Sequence, residues 1–251
     1  RDLEALTIDT VIARGVIAAD GGALTVAPPK FEYPQEVRAS VHLARELTAE
    51  DFGLPVARNG RVQANVIGVI ENQAPTRHLR VTMQPVGGQL TTDIHHDLAK
   101  VALVERHRGT GEMQIGLVQG FGFNVPCAVA STVAHDSHQM LVVGTHEQSM
   151  AVAANQLARV GGGQIVVREG EPIAIVELPI AGLMSDEPAE IVAQKTERLL
   201  QAFRDCGCTL NNPNMQLSLL ALVVIPELRI SDKGLVDVNR FELVPVVEAQ
   251  A

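Results

Sequence analysis

Short apolar runs separated by polar residues, glycine and proline dominate the middle of the chain. The run at 62–70 begins with alternating polar and apolar residues and ends almost entirely apolar, a pattern typical of a strand that is buried on both faces. Comparable runs follow, each bounded by residue types that usually end strands: 79–84, 100–105, 113–118, 127–134 and 140–143. These runs predict a β-sheet at the centre of the fold.

Helical periodicity is confined to the second half of the chain. Four apolar residues recur at the i, i+4, i+7 and i+8 spacing of a core-facing helix: Met150, Ala154, Leu157 and Ala158. Thr145 followed by Gln148 matches a capping box, so Thr145 is the predicted N-cap and Gly161 the predicted end. A second and longer helix is predicted at 187–206.

The first 36 residues differ in pattern from the rest. Residues 1–27 alternate short apolar stretches with Gly15 and the sequence Asp-Gly-Gly at 20–22, which predicts a small β unit. Residues 28–36 are rich in proline, which fixes φ and removes backbone donors, so they are predicted to be an extended connector. Residues 37–251 form the predicted main domain. The predicted fold class is α+β: mixed or antiparallel β-sheets with two main helices, preceded by the small β unit. The alternative is a mixed sheet with helices on one side.

Composition narrows the classes of function. The chain has 251 residues, of which 46% are hydrophobic, so it can bury a substantial core. A net charge of −9 argues against nucleic acid or an anionic membrane surface as a partner. No apolar run approaches the ~18 residues of a membrane helix, and no signal peptide opens the chain. Three cysteines at irregular spacing fit a reducing cytoplasm. Because the first residue is Arg1, we expect the chain to be part of a longer protein.

Four polar residues, His135, Asp136, Ser137 and His138, lie between two of the apolar runs. Polar groups beside buried strands cost free energy unless they find partners, so such a cluster indicates hydrogen bonding or chemistry. The alternative is a solvated turn in which Asp136 and Ser137 act as turn formers. The residues alone leave both interpretations open.

Metal and nucleophile chemistry are not favoured by the spacing. A hydrolytic metal site of the barrel type needs H-x-H on a strand, so that both rings face one ion, and the chain contains no such motif. His95 and His96 are adjacent, and their rings would face opposite sides of a strand. Ser137 lies beside His135 and Asp136, but triads join residues that are distant in sequence. We therefore assign no catalytic residue and no metal ligand to this chain.

Phe121 and Phe123 alternate with Gly120 and Gly122. A flexible loop that presents two aromatic rings can stack against a planar ligand. The alternative is a pair of core phenylalanines between glycine hinges, and the sequence does not decide between them.

Four stretches carry a resemblance to a known family: G-F-G-F at 120–123, A-S-T-V-A-H-D-S-H at 130–138, L-P-I-A-G-L-M-S at 178–185 and V-I-P-E-L at 224–228. In this order they closely resemble the C-terminal region of bacterial adenine deaminases, which are amidohydrolases. Many relatives are expected to carry Asn where this chain has Gln139, an amide in either case. The resemblance implies a TIM barrel with a two-metal centre, a small β domain built from both flanks of the barrel, and an additional C-terminal domain.

The resemblance also implies which part of the enzyme each segment of the chain forms and which reaction the enzyme catalyses. Residues 1–27 would be the closing strands of the small β domain, and 37–251 the C-terminal domain, with the barrel absent from this chain. The implied reaction is the hydrolysis of adenine to hypoxanthine and ammonia, with a divalent metal pair (Mn, Fe or Zn) held by the barrel and none by this chain. Implied partners are adenine or a related 6-aminopurine, the protein's own N-terminal barrel and further copies in a homo-oligomer.

Within this framework we expect the chain alone to be inactive and to help complete the pocket or the assembly. The candidates for the substrate pocket or a lid are His135, Asp136, Ser137, His138, Phe121 and Phe123. The alternative function is a stand-alone purine-binding or structural oligomerisation module without catalytic activity.

Overall fold

The computed structural model describes residues 4–27, 31–38, 40–57 and 60–248. These residues fall into two compact units, which divide between Pro34 and Gln35. Of the predicted connector, residues 28–30 lie outside the described residues. Residues 31–34 have no regular secondary structure, and a short helix, α1 (Gln35–Arg38), begins inside the predicted connector and belongs to the second unit.

The first unit is a three-stranded antiparallel sheet of β1 (Thr10–Ala13), β2 (Val16–Asp20) and β3 (Ala23–Leu24). Gly21 and Gly22 adopt positive φ at the turn between β2 and β3, as their sequence predicts. None of the described residues at 4–27 is buried, and apolar side chains along the unit are exposed: Leu6, Ile8, Val11, Ile12, Val16, Ile17, Leu24 and Val26. Three short strands without a covered apolar face do not make an independently stable sheet.

The second unit is built on a sheet of eight strands among its described residues. They are β4 (Val62–Gly68), β5 (Arg77–Met83), β6 (Leu98–Val104), β7 (Met113–Gln119), β8 (Cys127–Ser131), β9 (Met140–Gly144), β10 (Gly163–Arg168) and β11 (Glu171–Glu177). Their order across the sheet is β11-β10-β8-β9-β6-β7-β4-β5, with β4 and β7 parallel and the other neighbours antiparallel. The predicted mixed sheet is confirmed.

Three further helices and a small sheet cover the large one. The helices are α2 (Glu147–Val160), α3 (Ala189–Asp205) and α4 (Pro213–Leu219), and the small antiparallel sheet contains β12 (Leu228–Ser231), β13 (Gly234–Asp237) and β14 (Glu242–Val244). Single 3-10 turns lie at Ala49–Phe52 and Ile94–His96. The α+β class is confirmed. None of the described helices is long and apolar enough to cross a membrane.

Alternate residues of the central strands enter two different cores. Val101 and Leu103 of β6 pack in the core that α3, α4 and the small sheet cover, whereas Ala102 and Val104 pack in the core under α2. Because the central strands are apolar on both faces, each face needs its own cover. The alternative of a mixed sheet with helices on one side only was therefore wrong.

The start of α2 differs from the predicted capping box. Its N-cap is His146, while the Thr145 hydroxyl donates to the Val125 carbonyl at 2.8 Å and accepts from the Cys127 N–H at 3.0 Å. The start of β8 thus uses the hydroxyl that the capping box would need. The prediction of Thr145 as N-cap was wrong because a tertiary contact competes with the local one.

The sequence analysis also missed α4 and β13. The helix α4 carries two start signals that apolar periodicity overlooks: Pro213 at its first position, and Asn212, whose side chain accepts a hydrogen bond from the Met215 N–H at 3.3 Å. A search for caps rather than apolar stripes finds this helix.

Candidate functional site

Three loops meet at one end of the large sheet. The antiparallel register pairs Val104, the last residue of β6, with Met140, the first residue of β9. The end of β8, the start of β10 and the end of β11 lie at this same end. The loops 105–112, 132–139 and 178–186, which follow β6, β8 and β11, are therefore neighbours. Two of the family-like stretches are among them.

The four polar residues at 135–138, here called the histidine turn, form part of the loop between β8 and β9. The His138 N–H donates to the Ala134 carbonyl at 2.7 Å, and the Ala134 N–H donates to His138 Nδ1 at 3.2 Å. The rings of His135 and His138 lie edge to face, with centroids 5.4 Å apart. Asp136 and Ser137 are exposed. The turn-forming interpretation of Asp136 and Ser137 is therefore compatible with the geometry.

Several polar groups of the histidine turn have no internal hydrogen bond. Among the described residues, neither ring nitrogen of His135, nor Nε2 of His138, nor the Asp136 carboxylate has a hydrogen-bond partner. The Asp136 carboxylate is exposed and bonds neither ring. The half-buried imidazoles of the turn are therefore available to a ligand or to another part of a larger protein.

The protonation of His138 follows from its surroundings. A backbone N–H can only donate, so Nδ1 of His138 is an acceptor, and the neutral ring carries its proton on Nε2. Burial lowers the pKa of His138, and the positive charges of His135 and Arg106 lower it further, against an opposing effect of Asp136. At neutral pH, His138 is therefore an uncharged imidazole with an Nε2–H donor.

The lowered pKa of His138 predicts a loss of stability in acid. The folded chain binds this proton more weakly than the unfolded chain, whose histidine titrates near 6.5. The contribution of His138 is therefore complete above that pH and is lost as the pH falls through the lowered pKa. We expect the melting temperature to fall more between about pH 7.5 and about pH 5.5 in the wild-type chain than in His138→Asn, which cannot titrate. Asn also tolerates the left-handed backbone of this position, at φ 50°. An equal fall in both proteins would contradict this assignment.

Arg106 lies beneath the histidine turn and is 1% exposed. Its Nε donates to the His138 carbonyl at 2.6 Å, Nη1 to the Ser40 carbonyl at 3.0 Å and Nη2 to the Ala181 carbonyl at 3.1 Å. Its backbone N–H donates to Gln139 Oε1 at 2.9 Å. One buried side chain thus joins the histidine turn, the 178–186 loop and the chain entering the second unit.

Glycines allow this close approach. A Cβ atom on Gly182 would lie 2.7 Å from Nη1 of Arg106, and one on Gly162 would lie 2.5 Å from the Cα atom of Gly182. Thr132 ties the same backbones together, because its hydroxyl accepts from the Gly163 N–H at 2.8 Å and donates to the Gly182 carbonyl at 2.5 Å. The end of the sheet is therefore closely packed around Arg106.

The loop that carries Arg106 is organised by Glu105. Its carboxylate accepts backbone hydrogen bonds from His107, Arg108 and Thr110 at 2.6–3.0 Å. Burial would raise the pKa of Glu105, but these hydrogen bonds outweigh it and the pKa is lowered. The loop also brings His107 to the histidine turn, where Nε2 lies 2.8 Å from the Ser137 carbonyl.

Phe121 and Phe123 lie elsewhere. Both rings are 1% exposed, stack on each other with centroids 5.3 Å apart and belong to the core that α3 covers. Asp97 holds the backbone around them, accepting from the N–H groups of Gly120 and Gly122. Of the two interpretations of this loop, the geometry matches the core pair.

Within the part of the chain that the structure describes, no group of three or more His, Cys, Asp and Glu side chains can hold a metal ion. The three cysteines are buried thiols without disulfides: Cys127, Cys206 and Cys208. The described side chains thus do not fit the metal pair that the family resemblance implies.

Gly182 was named only within the family-like stretch at 178–185, and Arg106 and His107 were not predicted as site residues. Their signal was weak, because E-R-H-R-G-T-G-E at 105–112 has the composition of a solvated loop. The burial of Arg106 distinguishes this segment from a solvated loop, and that burial depends on contacts with the other loops.

Known proteins were compared with the chain. Residues 73–242, more than half of the chain, match the adenine deaminase C-terminal domain family. The adenine deaminase of Roseobacter denitrificans is 53% identical over 249 residues, which cover 99% of this chain and 41% of that protein. The adenine deaminase of Paracoccus denitrificans is 55% identical over 246 residues, with 98% and 41% covered. That of Moorella thermoacetica is 48% identical over 248 residues, again with 98% and 41% covered. The chain thus spans about 41% of the length of these curated relatives.

Proposed function

The chain belongs to the adenine deaminase C-terminal domain family, and from this we propose that it is part of an enzyme that hydrolyses adenine to hypoxanthine and ammonia. Support comes from relatives named adenine deaminase that are 48–55% identical over at least 98% of the chain. Because the match spans 41% of their length, we assign the reaction to the full-length protein and an accessory role to this chain.

The observation that carries the accessory role is the set of imidazole nitrogens in the histidine turn that have no hydrogen-bond partner among the described residues. The ring nitrogens of adenine that carry no hydrogen are hydrogen-bond acceptors, and the Nε2–H of a neutral His138 is a matching donor. We propose that the histidine turn completes the substrate pocket or a lid over it. Loops at the end of a rigid sheet commonly supply such groups.

The divalent metal pair of the family, whether Mn, Fe or Zn, is proposed to lie in the N-terminal barrel of the full-length protein. In such enzymes the metal activates the attacking water. The described residues of this chain do not fit such a centre, so we assign them no part in that step.

The barrel is also the proposed partner of the first unit. The exposed apolar side chains of β1, β2 and β3 need a cover that the unit itself does not provide. We propose that residues 1–27 close the small β domain of the full-length enzyme, that this enzyme forms a homo-oligomer, and that it acts in the cytoplasm. Three unpaired buried thiols fit that compartment.

The isolated 251-residue chain is expected to release no ammonia from adenine, because its described residues contain no group that can hold a metal pair. The measurement is ammonia release from adenine in the presence of Mn²⁺ or Zn²⁺, for the chain and for the full-length protein in parallel. Turnover by the full-length protein alone is the expected result. Sustained metal-dependent turnover by the isolated chain would contradict the accessory role, and no turnover by either would contradict the deaminase assignment.

A stand-alone purine-binding or structural module is the second candidate. The uncovered apolar side chains of the first unit favour a structural role. The full-length protein separates the candidates, since a module without catalytic activity predicts no ammonia release from adenine, whereas the deaminase assignment predicts turnover.

A further inference from the structure

Arg106 and Arg229 are both buried arginines whose guanidinium groups bind backbone carbonyls, but their surroundings differ. Arg229 donates to carbonyls of residues that carry no titratable side chain: Ala74, Leu219, Ile225 and Pro226. Arg106 instead donates to the carbonyl of His138, whose imidazole has an unpartnered Nε2 among the described residues. This contrast indicates that Arg106 positions a titratable side chain in addition to joining two loops.

We propose that Arg106 is a positioning residue, which fixes the histidine turn against the 178–186 loop so that His138 presents its Nε2–H group to an acceptor nitrogen of the bound purine. This inference rests on the proposed function, and it adds the residue that holds the donor in place. Arg106 itself is buried beneath the turn and is not assigned a contact with substrate.

The backbone of His138 shows why the turn needs support. Its φ of 50° is left-handed, a region that residues other than glycine rarely adopt. The hydrogen bond from Arg106 Nε to the His138 carbonyl, at 2.6 Å, fixes this peptide. The other side of the guanidinium is held by Ala181 and packed against Gly182, where a Cβ atom would collide with it. The ring of His138 is therefore positioned by contacts on both sides of Arg106.

The positive charge of Arg106 favours the neutral form of His138, and its hydrogen bond to the His138 carbonyl holds the turn in place. Among the described residues Arg106 makes no salt bridge, so its positive charge is not neutralised by direct contact with a carboxylate. The charged and titratable groups around His138 are Arg106, His135 and His107, which disfavour a second positive charge, and Asp136, which favours one. Glu105 is adjacent to Arg106, and its carboxylate is already bound by backbone N–H groups. On balance the surroundings keep His138 neutral, which is the form that retains the Ala134 N–H to Nδ1 hydrogen bond.

The first test uses nitrogen NMR of the 251-residue chain and needs no activity. In the wild-type chain, the ¹⁵N shifts of His138 are expected to show a proton on Nε2 and none on Nδ1, with a titration midpoint below 6.5. A proton on Nδ1, or a midpoint above 6.5, would overturn the proposal without any variant.

Variants then separate charge from geometry. Arg106→Gln removes the charge, and the His138 midpoint is expected to rise. Arg106→Lys keeps the charge and is expected to leave the midpoint near the wild-type value. Arg108→Gln, at an exposed arginine of the same loop, is the matched control and should leave it unchanged. A midpoint that is unmoved in a folded Arg106→Gln chain would count against the proposal.

The second test uses the full-length deaminase. Arg106→Gln is expected to lower kcat/KM for adenine at least about tenfold and to move the acidic limb of its pH profile upward by the shift that NMR measures. Arg106→Lys is expected to keep the acidic limb of the pH profile near its wild-type position and to retain part of the wild-type kcat/KM. An unchanged pH profile with normal kcat/KM in Arg106→Gln would overturn the positioning role. If the wild-type full-length protein does not deaminate adenine, the proposed function fails while the NMR result still decides how Arg106 acts on His138.

Discussion

Replacing His138 by Asn in the full-length enzyme is expected to lower kcat/KM for adenine at least about tenfold, which corresponds to about 1.4 kcal/mol of lost transition-state stabilisation. The imidazole of His138 is neutral and offers an Nε2–H donor, since its Nδ1 accepts from Ala134. Asn keeps a short polar side chain and tolerates φ 50°, but its amide does not reach as far as Nε2. The measurement is steady-state ammonia release at saturating metal, together with the melting temperature.

A control separates the histidine turn from a general effect of losing a histidine. His95 is exposed on the 3-10 turn at the other end of β6, and His95→Asn is expected to leave kcat/KM unchanged. For His138→Asn, a large drop in melting temperature with normal turnover per folded enzyme would assign the turn to stability instead.

Replacing Arg229 by Met is expected to destabilise the second unit by about 4 kcal/mol, the largest stability effect that we predict. Arg229 is 0% exposed, and burial lowers its pKa to about 10, so it stays charged at neutral pH. Its guanidinium donates to four carbonyls at 2.5–2.9 Å, including Leu219 at the end of α4. Met fills much of the same volume but leaves the Ala74 and Ile225 carbonyls without a donor, and each such acceptor costs about 1–3 kcal/mol. The Leu219 and Pro226 carbonyls would keep the backbone N–H groups of Leu222 and Thr76 as donors.

Thermal and urea unfolding of the chain measure this effect, and a fall in melting temperature of about 10 °C is expected for a unit of this size. Arg240→Met is the matched control. Arg240 lies in the turn before β14, and its ion pair with Glu242 is exposed on both sides, so its loss is expected to cost less than about 0.5 kcal/mol. Similar losses for both variants would show that the carbonyl contacts of Arg229 contribute little.

Much of the fold was predictable because its elements are locally consistent. The strands β4, β6, β7, β8 and β9 overlap the predicted apolar runs, and α2 ends at Gly161 with a left-handed φ of 84°, as predicted. These elements combine strong periodicity with clear end signals, so local sequence and tertiary structure agree. The hairpin turn at Gly21 and Gly22 was predictable for the same reason, since both glycines adopt the positive φ that the turn requires.

The errors arose where a side chain had two possible partners. Thr145 matches a helix cap by sequence, yet its hydroxyl binds Val125 and Cys127 at the start of β8. The side of the sheet that each helix covers was equally undetermined, because β6 is apolar on both faces. Which partner or face is used depends on free energies of packing that no short window of sequence contains.

The sequence by itself determined most strands of the large sheet, the two main helices, the family resemblance and the position of the histidine turn between β8 and β9. Only the tertiary structure decided which contacts hold that turn and which protonation state His138 adopts. Antiparallel register brings the loops 105–112 and 178–186 beside it, and places a buried guanidinium under the carbonyl of His138. The tautomer of His138 and its lowered pKa follow from those contacts. Residues far apart in the chain supply them, and their distances depend on how the whole sheet is paired, so a linear pattern of residue types cannot specify them.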